Sequence, residues 1–226
     1  MRISIITICF NSLKTIKNTL NSVWEQDFEN IELIVIDGGS LDGTLEYLHS
    51  NQHRIKKLVS EADHGIYDAM NKGLGLATGD IIGIINSDDF LANSKVLSLV
   101  HKYFQSNPSI HGCYGDVSIV KNNKNNNFKY LRIWKPGTFS RNKIRRGWMI
   151  PHPALFLKHN VYIKCGNFRL DLGTAADYEF MLRCFYFKKL STLYVPAKFV
   201  IMRSGGQSSS SIKNRLIANA FDAKAW

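Results

Sequence analysis

Ile81-Ile82-Gly83-Ile84-Ile85-Asn86-Ser87-Asp88-Asp89 is the stretch on which the fold turns. Its apolar run is too short for a helix and lacks polar alternation, so it reads as a buried strand that stops where the polar residues begin. Upstream, a helix from about Ile66 has Ile66, Ala69, Met70 and Leu74 on its apolar side and Asp68, Asn71 and Lys72 on its polar side. Residues 55–60 read as a weak strand, residues 31–36 as a strong one ending at Asp37-Gly38-Gly39-Ser40, and residues 3–8 as a central one. Between the last two, Leu13, Ile16, Leu20, Val23 and Trp24 recur at helical spacing, and Asp42 is placed to cap the helix that carries Leu45 and Leu48. Downstream, Val96, Leu97, Val100 and Phe104 mark another helix. Short β-rich runs alternating with helical patterns predict an α/β protein built on a mostly parallel sheet flanked by helices.

Beyond about residue 110 the pattern changes. Residues 114–120 and 128–134 predict a hairpin around an asparagine-rich turn, residues 151–168 read as loop and short helix, and residues 175–187 as a buried helix. A strand interrupted by Pro196 follows over residues 193–202. Arg203 then opens a glycine-serine run that precedes a last helical segment; the run reads either as a lid or as a plain linker. The expected organisation is two halves, residues 1–110 and 111–226, packed as one unit.

The chain has 226 residues, 45% hydrophobic and 21% charged, enough to bury a full core, which excludes a disordered or fibrous protein. No run approaches the roughly 20 apolar residues of a membrane span, and the first residues lack a signal-peptide pattern, so we expect a cytoplasmic protein. Cys9, Cys113, Cys165 and Cys184 show no CxxC spacing and read as reduced, buried thiols. His49 and His53 have metal-ligand spacing but no acidic or cysteine partner, so a solvated helix face is expected. A net charge of +11 suits phosphate-bearing substrates, an anionic membrane or nucleic acid. The densest basic run, Arg141-Asn142-Lys143-Ile144-Arg145-Arg146-Gly147-Trp148, fits either a membrane-surface contact or a solvated loop.

Ligands of open parallel sheets bind beyond the carboxyl ends of the strands, where the loops converge. Asp37 follows one predicted strand there, and Asp88 and Asp89 follow another. Paired carboxylates after a buried strand suit Mg²⁺ or Mn²⁺, hard cations that keep places open for water and phosphate; the alternative is that they start the next helix.

At these positions the chain resembles the inverting nucleotide-sugar glycosyltransferases of family 2 with the GT-A fold. The resemblance rests on Ile5-Ile6-Thr7-Ile8-Cys9-Phe10-Asn11, on residues 33–44, on Asp63-His64-Gly65-Ile66-Tyr67-Asp68-Ala69-Met70-Asn71-Lys72-Gly73, on Ala77-Thr78-Gly79-Asp80 through Asp89, and on Ala176-Asp177-Tyr178-Glu179. It implies a nucleotide-sugar-binding first half and an acceptor-binding second half that carries the catalytic base. Thr7 and Asn11 would lie at the nucleotide edge, Asp37 would accept a hydrogen bond from uracil or ribose, and Asp63 and Lys72 would help hold the nucleotide. Asp88 would stand at the metal with Asp89 assisting, and Asp177 would be the base, kept ionised by a helix start that it equally has the position to cap. His152 and Arg203 are weaker candidates for acceptor or diphosphate contacts. In two places the chain departs from the family pattern: Asn86 stands where many members have the motif's first aspartate, and Met70 replaces a common arginine. Processive members carry Gln-x-x-Arg-Trp and membrane helices, neither present here, so transfer of one sugar is expected.

The implied donor is a uridine-diphosphate hexose. The implied acceptor is a lipid-linked saccharide of a bacterial surface polysaccharide such as lipopolysaccharide O-antigen, met by peripheral association at the inner face of the plasma membrane. Two rival readings remain. Another nucleotide-binding enzyme class would need G-x-G-x-x-G or a phosphate-cradling G-x-x-x-x-G-K-S/T loop, and neither is present. A nucleic-acid-binding protein suits the charge, Trp134 and Trp148, but strand-end aspartates would repel phosphate unless a metal intervened.

Overall fold

The computed structural model describes residues 1–122 and 128–205. The first half runs β1 (Ile3–Cys9), α1 (Leu13–Trp24), β2 (Ile31–Asp37), α2 (Thr44–Ser50), β3 (Lys57–Ser60), α3 (Ile66–Leu76), β4 (Ile81–Asn86), β5 (Phe90–Leu91) and α4 (Val96–Ser106). The second runs β6 (Gly112–Asn122), β7 (Phe128–Trp134), α5 (Arg141–Ile144), β8 (Leu155–Lys158), α6 (His159–Cys165), α7 (Ala176–Met181) and β9 (Thr192–Arg203). The tip of the expected asparagine-rich turn, the glycine-serine run beyond Gly205 and the last helical segment lie outside the described residues.

All nine strands join one sheet in the order β3-β2-β1-β4-β8-β6-β9-β5, with β7 paired to β6. β1 to β4 are mutually parallel, and β9 runs parallel to β6. The isoleucine-rich strands follow from burial on both faces: Ile6, Ile8, Ile34, Ile36, Ile82 and Ile84 pack with α3, α6 and α7, while Ile3, Ile5, Leu33, Val35, Ile81 and Ile85 pack with α1, α2 and α4. Each such side chain contributes roughly 1.5–3 kcal/mol, and the polar residues that interrupt β1 and β2, Ser4, Thr7, Glu32 and Asp37, are themselves buried.

The structure corrects three local expectations. Leu155–Lys158, expected as loop and short helix, is a strand, and it runs antiparallel between β4 and β6 in the middle of the sheet. Four residues carry too little pattern to reveal it. Asp42 is not a simple cap of α2, whose N-cap is Gly43; its carboxylate accepts from Leu13 N, the first residue of α1, and from Thr44 N, and so ties the two helix starts together. Pro196 does not break β9: the ladder to β6 shifts register between Tyr114 and Asp116, so the proline sits in a bulge where its missing N–H costs no ladder bond. Residues 175–187 are helical, as expected, with α7 passing into a π-helical turn at Leu182–Phe187. All four cysteines are buried free thiols.

Candidate active site

The carboxyl ends of β1, β2 and β4 open onto two adjoining clefts. The first, about 760 Å³, is lined by Phe10, Gly38, Asp63, Gly65, Ala69 and Ser87 among others. The second, about 720 Å³, lies towards the second half and is lined by Tyr67, Asp89, Arg132, Trp134, His152, Asp177 and Arg203 among others. Both volumes are in the range that holds a small organic ligand. Ile66, Asn86 and Asp88 line both clefts, so the polar end of β4 forms the wall where the two meet.

Local backbone chemistry shapes the first cleft. A Cβ on Gly38 would lie 2.6 Å from Asp63 Oδ2, so only glycine lets the β2 loop approach this aspartate. Asp63 in turn accepts the Gly65 N–H at 2.8 Å, and Gly65, at φ +109°, makes the turn that starts α3. Phe10, 61% exposed, stands beside them as a free aromatic face at the mouth.

The residues expected at the nucleotide edge divide. Asp63 lines the first cleft and Asp88 the junction. Thr7 does not reach either: it is fully buried in the middle of β1, where β2 and β4 flank it. Asp37 is also fully buried, accepting from Gly39 N, Ser40 N and the hydroxyls of Ser40 and Ser60. Burial pushes its carboxyl up, but these hydrogen bonds outweigh burial and hold it below the ordinary carboxylate range. This aspartate therefore organises the β2 loop and offers no free oxygen to a base or ribose. Asn11, at φ +47°, donates its N–H to Ser40 Oγ and accepts from Leu41 N, joining the same loops outside the cleft. Lys72 does not itself line either cleft; it pairs with Glu61 at 2.9 Å and Asp68 at 3.6 Å and donates at 3.0 Å to the carbonyl of Ala62, a residue of the first cleft's wall.

At the junction the two motif aspartates differ. Burial raises the Asp88 carboxyl above its ordinary value, with a backbone hydrogen bond and Arg203 opposing. Asp89 is 2% exposed and its carboxyl is pushed well above 3.8, first by burial and then by Asp88. Its Oδ1 accepts the Arg203 N–H, so Asp89 braces the loop from beneath. Arg203 completes the brace: its guanidinium donates to the Asp88 carbonyl and sits 5.2 Å from the ring centroids of both Phe90 and Phe128. Asn86 Oδ1 is buried with no hydrogen-bond partner among the described residues.

Asp177 is the second residue of α7, whose N-cap is Ala175, and its carboxylate accepts the next residue's N–H at 2.8 Å without capping the helix. The expected dipole effect does not prevail either. Burial lifts its carboxyl from 3.8 to about 6, against the opposing hydrogen bonds of Tyr178 N and the Tyr67 hydroxyl. Such a group is still mostly ionised at pH 7 and close to the value at which a general base works best. His152, in a 3-10 turn with its ring edge-on to Phe168 at 5.6 Å, is lowered to about 4 by burial and is therefore neutral.

Sequence reasoning passed over Tyr67, Phe10 and Arg132 as site residues and weighed Trp134 only as a nucleic-acid contact. Arg132 and Trp134 lie two apart on β7 and so share one face, a signal that strand periodicity carries once the hairpin is accepted. Trp148, which favoured the nucleic-acid reading, packs half-buried against Phe139 at 6.0 Å.

Among known proteins, the chain is 36% identical over 184 residues to an uncharacterized glycosyltransferase of Mycobacterium tuberculosis (strain CDC 1551 / Oshkosh), covering 80% of this chain and 68% of the relative. It is 28% identical over 215 residues to a PGL/p-HBAD biosynthesis glycosyltransferase of Mycobacterium bovis (strain BCG / Pasteur 1173P2), covering 94% and 80%. Two solved structures share its fold. Staphylococcus aureus TarS 1-349 in complex with UDP-GlcNAc superposes with a TM-score of 0.72 at 18% identity, over 100% of this chain and 69% of that one. The mannosyltransferase PcManGT from Pyrobaculum calidifontis, in complex with GDP-Man and Mn2+, gives 0.65 at 22% identity, over 88% and 56%. Their common architecture is the GT-A type of α/β fold. The family model for glycosyl transferase family 2 matches residues 4–162, about seven tenths of the length and including both motif aspartates; the chain belongs to glycosyl transferase family 2.

Proposed function

We propose that this glycosyltransferase moves one sugar from a nucleoside-diphosphate sugar, with UDP-hexose the first choice, to a saccharide hydroxyl with inversion at the anomeric carbon. The observation that carries the reading is the pair of clefts meeting at Asn86 and Asp88, with Asp177 in the second alone. Inverting displacement needs the leaving group and the base on opposite sides of the reacting carbon. Two adjoining clefts, one for each partner, satisfy that demand.

In this scheme the nucleotide occupies the first cleft, its base against the exposed Phe10 face and its ribose within reach of Asp63. The acceptor enters the second cleft between Trp134, whose ring suits the apolar face of a sugar, and neutral His152. Arg132, exposed and without an ion pair among the described residues, supplies positive charge there. Asp177 takes the acceptor proton as the new bond forms, and its oxygens are sheltered enough to hold that proton until product leaves.

Mn²⁺ or Mg²⁺ fits the junction. Asp88 and the unpartnered Asn86 Oδ1 are hard oxygen donors, and no group of three or more His, Cys, Asp or Glu among the described residues could hold a metal by itself. Such a short donor set suits a cation that completes its shell with water and phosphate oxygens. Asp89, buried and engaged by Arg203, serves the loop more than the ion. When bound, the cation offsets negative charge on the diphosphate leaving group.

The TarS complex with UDP-GlcNAc supports a nucleotide sugar as donor, and the M. bovis relative, a PGL/p-HBAD biosynthesis glycosyltransferase, supports transfer to a biosynthetic acceptor. Arg141, Lys143, Arg145 and Arg146 are exposed around the buried Ile144, which supports peripheral docking at the anionic inner face of the plasma membrane. No described helix is long and apolar enough to cross a membrane. The test is incubation with a panel of nucleotide sugars, Mn²⁺ and saccharide acceptors, reading the anomeric configuration of the product by proton NMR. Inverted product is expected from an α-linked donor; retained configuration would overturn the mechanism.

A further inference from the structure

We propose that the Tyr67 hydroxyl is the positioning group of the Asp177 base: it donates to the carboxylate when Asp177 is ionised and turns to the Thr174 carbonyl when Asp177 carries a proton. This rests on Asp177 being the base, as argued above.

Tyr67 is the second residue of α3, the helix that begins at the wall of the nucleotide cleft, yet its side chain crosses into the acceptor cleft. The ring is half-buried and backed on one side. It packs on Phe168 at 5.6 Å, and Phe168 is wedged against Phe180 of α7 at 4.8 Å and His152 at 5.6 Å. One turn along the same helix, Asn71 clamps the Phe168 backbone through two 2.9 Å hydrogen bonds, one to its carbonyl and one from its N–H. With the ring so backed, the hydroxyl can change partner simply by rotating its O–H.

That hydroxyl has two acceptors and one proton. It reaches the Thr174 carbonyl at 3.3 Å, and Asp177, three residues further on and lining the same cleft, is held down by it as a hydrogen-bond donor. The Thr174 distance is long for an O–H···O bond, and a carboxylate is the stronger acceptor, so with Asp177 ionised the proton points to Asp177. When Asp177 takes the proton of the acceptor hydroxyl, the acceptor O–H breaks and the Asp177 O–H forms. The new O–H can donate to the Tyr67 oxygen, and the Tyr67 proton rotates to Thr174 O without leaving its oxygen. Asp177 therefore keeps one hydrogen bond to Tyr67 before and after the transfer, and no buried donor is stranded, which would otherwise oppose the step. The same bond aims the carboxylate, and it ties the base to a helix whose start shapes the donor cleft.

Other groups facing this cleft are Asp88 and Asp89 from the β4 loop, Arg203 from β9, Arg132 from β7 and His152. The influences resolved on Asp177 itself are burial, its own and the Tyr178 amide, and the Tyr67 hydroxyl, which is the side chain among them.

The first experiment needs no variant. In protein carrying ¹³C at aspartate Cγ and tyrosine Cζ, without nucleotide or metal, the Tyr67 Cζ shift should follow pH with the same midpoint as Asp177 Cγ. A Tyr67 signal that stays flat through the Asp177 titration would overturn the proposal. The second is Tyr67→Phe, which keeps the ring packing. The acid limb of its kcat/KM profile should move to higher pH by about one unit, the scale on which a hydrogen bond to a charged group biases ionisation, with donor affinity unchanged. An unmoved limb in a folded variant counts against Tyr67. Asp177→Asn, assayed beside it, separates the two failures: if that variant still transfers sugar, the base assignment falls first.

Discussion

Asp177→Asn should make the protein more stable and nearly inactive at once. The native carboxyl sits at about 6 against an ordinary 3.8 because burial disfavours its charge. That is about two pH units at about 1.4 kcal/mol each, or at most about 3 kcal/mol of folding free energy lost to the charge at pH 7. Asp177 keeps some contact with cleft water, so the recoverable part is nearer 1–2 kcal/mol, or roughly 2–8 °C in Tm for a chain of this size. Because the native carboxyl holds its proton to higher pH than the unfolded one, the cost is absent below about pH 4, grows through the interval to pH 6 and is fully present above it. The melting advantage of the asparagine variant should follow that course. Its transfer rate should fall roughly 100-fold or more, the usual loss for a general base, while donor affinity holds. Differential scanning calorimetry from pH 4 to 8, beside single-turnover transfer, checks both halves. A variant that is less stable at pH 7, or that transfers sugar at a near-normal rate, would refute the reasoning.

Two further outcomes follow from the same geometry. Asp88→Ala, which removes the half-buried carboxylate at the junction, should abolish metal-stimulated transfer as chelation does in the wild type; full wild-type activity in chelator would contradict this. Replacing Arg141, Lys143, Arg145 and Arg146 together by alanine should abolish flotation with anionic liposomes at low salt, each charge being worth about 1 kcal/mol near such a surface; unchanged flotation would rule out this docking face.

The first half was legible because burial there is written in the residues. The runs around Ile6, Ile34 and Ile84 admit only strands, and their polar ends mark the cleft without help from the structure. The site was legible only as far as residue type fixes role. Asp63, Asp88 and Asp177 line the clefts, but Thr7 is fully buried and Asp37 has its oxygens engaged by the β2 loop, because the sequence does not show which donors surround a strand-end carboxylate. The three hydroxyl and amide residues that claim Asp37, namely Gly39, Ser40 and Ser60, come from the loop after β2 and the end of β3, whose meeting depends on the register of β2 with β3. Tyr67 was missed for a similar reason: its partner lies 110 residues away, across an interface that helical spacing alone does not reveal. β8 escaped because four buried residues carry no period long enough to read.

The central claim is that the first cleft takes a nucleoside diphosphate and that Asp88 joins it through a cation. Calorimetric titration of the full chain with uridine, guanosine and adenosine diphosphates, in Mn²⁺ and in chelator, tests it most directly. The account predicts saturable binding of at least one of them, strengthened by Mn²⁺, weakened by Asp63→Ala, and made metal-independent by Asp88→Ala. Absence of binding by every nucleotide with metal present, or equal binding by wild type and both variants, would contradict it.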